Sequence, residues 1–289
     1  LVRKLIPGVL SGSTAEDIVT AHANYAALNK AGAPVAIRLS STVVGVKNIG
    51  DPENSKGVEV AYARAGHVYR VHAANCILAG WNMMIPYLCP ELPQAQKDAL
   101  HELVKVPLVY TGVAIRNWQS WHKLGIRSIS APQGYFTSIQ LNWPVDIGAY
   151  KTPRTPDEPM LLFMVKTPVS PGLPEKDQHR AGRQELLDTP FETFEAKIRD
   201  QLQRMLGGGG FDHQRDIMAI TVNRWPHGYA YEFNPLFDDF SIPPDKRANV
   251  IGRQRFGRIA IANSDSGAAA YTDSAIDQAH RAVGELLGV

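Results

Sequence analysis

The stretch RIAIANSDSGAAAYTDSAIDQAHRAV, residues 258–283, sets one acid, Asp265, and five small residues, 266–270, between an apolar run and an amphipathic one. RIAIA reads as a buried strand and residues 263–267 as a turn. A helix is expected from near Thr272, with Asp273 in its first turn and Ile276, Ala279, Val283 and Leu286 on its inner stripe. Such a helix turns free N–H groups and the positive end of its dipole toward whatever lies above the strand, so an electron-rich group is expected there. Small residues let a flat ligand approach the backbone, and Asp265 can accept hydrogen bonds from hydroxyls or hold a backbone turn. Ordinary α/β packing would use the same residues. A second group, RWPHGYAYEFNPLFDD, gathers Trp225, His227, Tyr229, Tyr231, Asp238 and Asp239. Its plainer readings are tyrosines alternating on a strand, a tryptophan filling a domain interface, a surface histidine and a solvated acidic turn.

The rest of the chain must position these groups. Residues 14–30 have the periodicity of a helix capped by Ser13 or Thr14 and ended by Gly32 and Pro34. VAIRLSSTVVGVKNI, KGVEVAYARAG and HVYRVHAANCILAG alternate with period two, as an antiparallel meander does. The last of them ends in a wholly apolar run, residues 76–79, of the kind a buried parallel strand shows. Beyond Trp81 the texture changes: PELPQAQKDALHEL reads as a helix, VPLVYTGVAIRN and PMLLFMVKTPV as strands separated by long Pro-, Gly- and Trp-rich loops. TPFETFEAKIRDQLQRML has Thr189 as cap, Pro190 at the first helical position and a stripe of Phe194, Ile198, Leu202 and Met205. The glycines at 207–210 follow a helix rather than a strand, so they end it and do not cradle a phosphate. IMAITVNRW is then a strand leading into the aromatic group.

Composition narrows the class. With 289 residues, 44% hydrophobic and 20% charged, the chain can bury a substantial core, and its formal charge of +2 is scattered rather than striped, which argues against a nucleic-acid face. Residues 76–89, the longest apolar stretch, are broken by Gly80, Asn82 and Pro86 and fall short of a membrane span. Cys76 and Cys89 are expected as buried free thiols. LVRKLIPGVL lacks the order of a signal peptide, and the chain reads as a piece of something longer.

The order strand, NSD, small residues, YTDSAIDQA resembles the C-terminal flavin-binding motif of the flavin-containing amine oxidase superfamily. Three further segments agree in the same order: LSSTVVGV, CILAGWNMMIPYLCPELP and RWPHGYAY. LIPGVLSGSTAEDIVTA, NRWPHGYAYEFNPLFD and the tail are more closely similar to bacterial spermidine dehydrogenase-like proteins. The resemblance implies FAD, noncovalent because no cysteine follows Cys89, and hydride transfer from a polyamine. It implies Val43 at the adenine, and Ser264, Asp265, Thr272 and Ala275 at the ribityl, phosphate and flavin C2 carbonyl region. It also places Tyr271 as an aromatic wall beside the amine, with Trp225, Tyr229 or Tyr231 opposite. Such a pair would exclude water and attract an ammonium by cation–π contact. Carboxylates such as Asp238 and Asp239 near the mouth would suit a polycation.

The expected architecture is α/β: part of an FAD/NAD(P)-binding, amine oxidase-like domain in residues 1–85 and 223–289, with an inserted α+β substrate domain in 86–222. The GxGxxG turn that opens the superfamily is not among these residues. An N-terminal remainder of the flavoprotein is therefore expected as a partner. An exposed sheet edge and apolar floor are expected to favour oligomers. Other readings are a desaturase-like flavin enzyme acting on an apolar substrate and a noncatalytic subunit.

Overall fold

The computed structural model describes residues 1–234, 236 and 238–288. Pro235 and Phe237, which belong to the FNPLFDD turn, and Val289 lie outside the described residues. After α1 (Val2–Leu5) comes α2 (Ala15–Thr20), closed by a capping box in which the Thr14 hydroxyl accepts the Asp17 N–H and the Asp17 carboxylate accepts the Thr14 N–H. The helix is shorter than its periodicity predicts. At Ala21 the backbone turns extended, and Asn24 N–H donates to the Val9 carbonyl at 2.8 Å around a small cluster of Ile6, Val9, Ala27 and Leu28.

β1 (Thr42–Asn48), β2 (Val58–Arg64) and β3 (His67–Ala73) form the antiparallel meander, in sequence order. β4 (Cys76–Leu78) then leaves it, as its unbroken apolar character predicts. It pairs in parallel with β10 (Ile259–Ile261), Cys76 opposite Ile259 and Leu78 opposite Ile261, so the two ends of the chain share one sheet. α3 (Ile85–Leu88) and α4 (Gln94–Glu102) close the core of this part, setting Ile85 and Leu100 in one cluster with Val46, Val58 and Leu78. Cys89 is buried there, its thiol pushed up to about 12 by burial, and Cys76 is half-buried; both are free.

The middle of the chain builds an antiparallel sheet in the order β6-β7-β8-β5-β9, from β5 (Val106–Ile115), β6 (Ser128–Ser130), β7 (Ser138–Leu141), β8 (Met160–Lys166) and β9 (Ile217–Tyr229). α5 (Gln119–Leu124) and α8 (His213–Asp216) are short connectors. α7 (Phe191–Leu206) covers one sheet face, burying Phe194, Ile198 and Leu202 against Val109, Val113, Leu162 and Met164. Each such side chain contributes about 1.5–3 kcal/mol. The helix starts after Pro190 without the side-chain cap expected from Thr189.

α6 (Glu175–Asp188) occupies what the sequence presents as loop. EKDQHRAGRQELLD has no apolar stripe, so periodicity cannot reveal it. Gly182 holds it close to the sheet: a Cβ there would meet the Pro168 carbonyl at 2.7 Å and Pro107 at 3.0 Å. β9 runs as one strand through the 222/223 boundary at which the domains were expected to divide.

At the C-terminus α9 (Ala248–Gly252), β10, α10 (Ser264–Gly267) and α11 (Thr272–Leu287) follow in order. The inner stripe of α11 differs from the expected one. Ala282 is buried, with Leu286 packed beside Ala260 and Ala262, whereas Ile276, Ala279 and Val283 are exposed. A sheet of two short strands is too narrow to cover more of the helix.

Candidate active site

Ala270 and Tyr271, between α10 and α11, line a cleft of about 740 Å³. Val106 of β5, Glu175 and His179 of α6, Tyr229 and Tyr231 around the end of β9, and Tyr271 before α11 line it. Gly228 makes the strand end possible. A Cβ there would lie 2.6 Å from Leu108 Cδ2 and 2.9 Å from the Val106 carbonyl, so only glycine lets β9 follow β5 to the cleft.

Tyr229 and Tyr271, expected as aromatic walls, both line the cleft. The Tyr229 hydroxyl lies 2.6 Å from that of Tyr110, and this bond, with burial, pushes Tyr110 up to about 12. Tyr231 also lines the cleft but is 7% exposed. Its hydroxyl donates to Asp238 Oδ1 at 2.5 Å, and burial, Asp238 and Glu175 hold its ionisation well above the usual tyrosine range. Trp225 sits opposite Leu108 on β9, exposed and outside the cleft lining.

Of the residues expected at the cofactor, Thr272 is the first of α11 and exposed, and no side chain caps that helix. Ala275 donates its N–H to the Tyr271 carbonyl at 3.2 Å. Ser264 opens α10 and is half-buried. Val43 lies on β1 opposite Tyr62, away from the cleft lining. Asp265 is 1% exposed. Its Oδ2 accepts the Asn82 N–H at 3.1 Å, and its Oδ1 lies 3.1 Å from Lys105 Nζ. The acid thus anchors two distant segments to α10. Asp238 is half-buried and accepts from Tyr231 and from the Asn234 N–H, whereas Asp239 is exposed and accepts from Ser241.

His227, read from the sequence as a surface histidine, instead belongs to a half-buried group with Trp81 and Arg183 that the sequence did not bring together. His227 stacks on Trp81 with ring centroids 3.8 Å apart, and the Arg183 guanidinium sits 6.0 Å from the Trp81 ring. Arg183 Nε and Nη2, Trp81 Nε1, Asn82 Nδ2 and His227 Nδ1 are buried without hydrogen-bond partners. Burial, Arg183 and Lys105 drive His227 down to about 4, so its ring is neutral at physiological pH. Lys105 did carry a signal, as a lone charge inside the apolar run LVKVPLVY. Arg183 and Glu175 carried none, because the helix that bears them is polar throughout. Among the described residues no cluster of His, Cys, Asp and Glu could hold a metal ion, and no helix is long and apolar enough to cross a membrane.

Around Trp81 the orphaned buried atoms include four donors, Arg183 Nε and Nη2, Trp81 Nε1 and Asn82 Nδ2, and the uncapped start of α11 adds backbone N–H groups. An acceptor-rich planar group fits such a surplus, and a flavin ring is one. No known family model and no curated protein matches the chain. Solved structures do. A putrescine oxidase bound to putrescine matches with 17% identity and a TM-score of 0.56, over 86% of this chain and 49% of that one. A variant of putrescine oxidase from work on its cofactor binding gives a TM-score of 0.59 at 17% identity, over 86% and 48%. The cyclohexylamine oxidase of Brevibacterium oxydans gives 0.55 at 10%, over 85% and 48%. This chain spans about half the length of the structures it matches. Its α/β fold is that of the matching half of these amine oxidases.

Proposed function

We propose that the chain provides the substrate side and part of the cofactor side of an FAD-dependent amine oxidoreductase acting on a polyamine of the spermidine type. The observation that carries this reading is a cleft walled by Tyr229, Tyr231 and Tyr271, with Tyr271 at the uncapped start of α11, and bordered by Glu175. Aromatic faces and a carboxylate are what an ammonium group requires. FAD, held noncovalently, supplies the hydride acceptor: a C–H beside nitrogen loses hydride, and water hydrolyses the resulting imine to an aldehyde and a smaller amine.

The chain's own contributions follow from its geometry. Ser264, Asp265, Thr272 and Ala275 lie on the segment that would hold the cofactor, and the N-terminus of α11 would stabilise negative charge placed before it. Lys105 and Asn82, tied to Asp265, keep α10 in place for that role. Tyr229 and Tyr271, on the open face of the cleft, orient the substrate. A desaturase-like reading fits less well, because an apolar substrate gains nothing from Glu175. A noncatalytic subunit is the second reading, favoured by one observation: both oxygens of Asp265 are engaged within the protein.

The test is the absorption spectrum of the full-length protein purified from its source. A flavin spectrum bleached anaerobically by spermidine is the expected result. A colourless protein would overturn the enzymatic reading and leave the noncatalytic one.

A further inference from the structure

The cleft also holds a base that the oxidation as described leaves without a role. His179 is half-buried on α6 and is the one imidazole among the described residues that line the cleft. Its Nδ1 lies 3.4 Å from the Val104 carbonyl oxygen, which can only accept, so the neutral ring carries its proton on Nδ1. Nε2 then keeps its lone pair. It has no hydrogen-bond partner among the described residues and is not one of the buried unpaired atoms, so it is open to water or to a ligand.

The neighbouring polar groups of the lining are committed elsewhere. Tyr229 shares its hydroxyl with Tyr110, Tyr231 donates to Asp238, and Glu232 accepts the Ala270 N–H at 2.9 Å. On its own helix His179 has Glu175 and Lys176 in the preceding turn and Arg180 and Arg183 after it, of which Lys176 is paired with Glu102 and Arg180 with Asp177. Lys105, next to Val104, is paired with Asp265, and the segment after β9 brings Glu232 and Asp238.

We propose, on the basis of the amine reading above, that His179 is a catalytic base of this site, whose Nε2 takes one proton from the substrate ammonium before hydride leaves. An N–H bond of the ammonium breaks, its electron pair stays on that nitrogen, and a new N–H bond forms on Nε2. No electrons pass between the two molecules. The imidazolium keeps its Nδ1–H on the Val104 carbonyl, so the ring holds one orientation in both states, and it later gives the proton to water. The chemistry needs such a step: an aliphatic amine is almost wholly protonated near neutral pH, and hydride departs only when nitrogen offers a lone pair to form the C=N bond. Imidazole is the side chain whose basicity suits this exchange.

The test is anaerobic stopped-flow of the full-length protein with spermidine, following the bleaching of the flavin band against amine concentration and pH. His179→Gln should slow the limiting rate about a hundredfold at neutral pH while leaving half-saturation within a factor of about three. Its rate should then rise about tenfold per pH unit, as free amine accumulates in solution, and approach wild type in alkali. Added imidazole should restore part of the rate of His179→Ala. A His179→Gln rate equal to wild type overturns the base. So does a loss that is the same at every pH and that imidazole does not recover in His179→Ala; either result leaves the amine reading standing. A wild type whose flavin spermidine does not bleach overturns the amine reading itself.

Discussion

His227 illustrates how one residue's chemistry is set by neighbours remote in sequence. Its ring packs on Trp81, and burial first, then Arg183 and Lys105, lower its ionisation from an ordinary 6.5 to about 4. The unfolded chain binds the proton more readily than the folded one. This contribution to stability is therefore complete above 6.5 and is lost as pH falls toward about 4. Arg183→Met keeps much of the packing and removes a like charge, so the His227 titration followed by NMR should move up toward 6.5, and the acid-side loss of stability should shrink. An unmoved titration would show that burial alone depresses the ring. Arg183 was not legible beforehand, since nothing in HRAGRQELL says that its guanidinium ends over a tryptophan about a hundred residues earlier.

At the level of elements, the junction of β5 and β9 carries the cleft. Gly228 sits where a methyl group would strike Leu108 and the Val106 carbonyl. Gly228→Ala should cost about 1–3 kcal/mol, seen as a lower melting temperature, and displace Tyr229, seen as weaker amine binding. An alanine variant with unchanged melting would mean that the strand ends separate easily. Elements with a strong hydrophobic period were legible: α7, β5, β8 and the meander stand close to where alternation and helical spacing put them. α6 was not, because it is held by backbone contact at Gly182 and by charged side chains rather than by an apolar stripe. The helix expected at 14–30 shortened because Asn24 found a partner in Val9 instead.

For the whole molecule, the uncovered apolar surface is informative. Ile276 and Val283 on α11 are 55% and 44% exposed, and Ile77 of β4 is half-exposed as well. A two-stranded parallel sheet with open edges adds to this liability. These 289 residues produced alone should associate with rising concentration in sedimentation velocity, and Ile276→Glu with Val283→Glu should shift the distribution toward monomer. A wild-type chain that stays monomeric at all concentrations would show that this face needs no cover.

The sequence by itself determined the α/β class, the meander and the strand–turn–helix at the C-terminus, because burial periodicity and turn residues are local properties. Only the tertiary structure decided that Asp265 pairs with Lys105 and Asn82, that of the carboxylates lining the cleft Glu175 has no partner among the described residues, and that Arg183 lies over Trp81 with no ion pair among them. Those facts depend on which distant segments the sheets bring together. Charge compensation acts through space, between groups that the sequence keeps far apart.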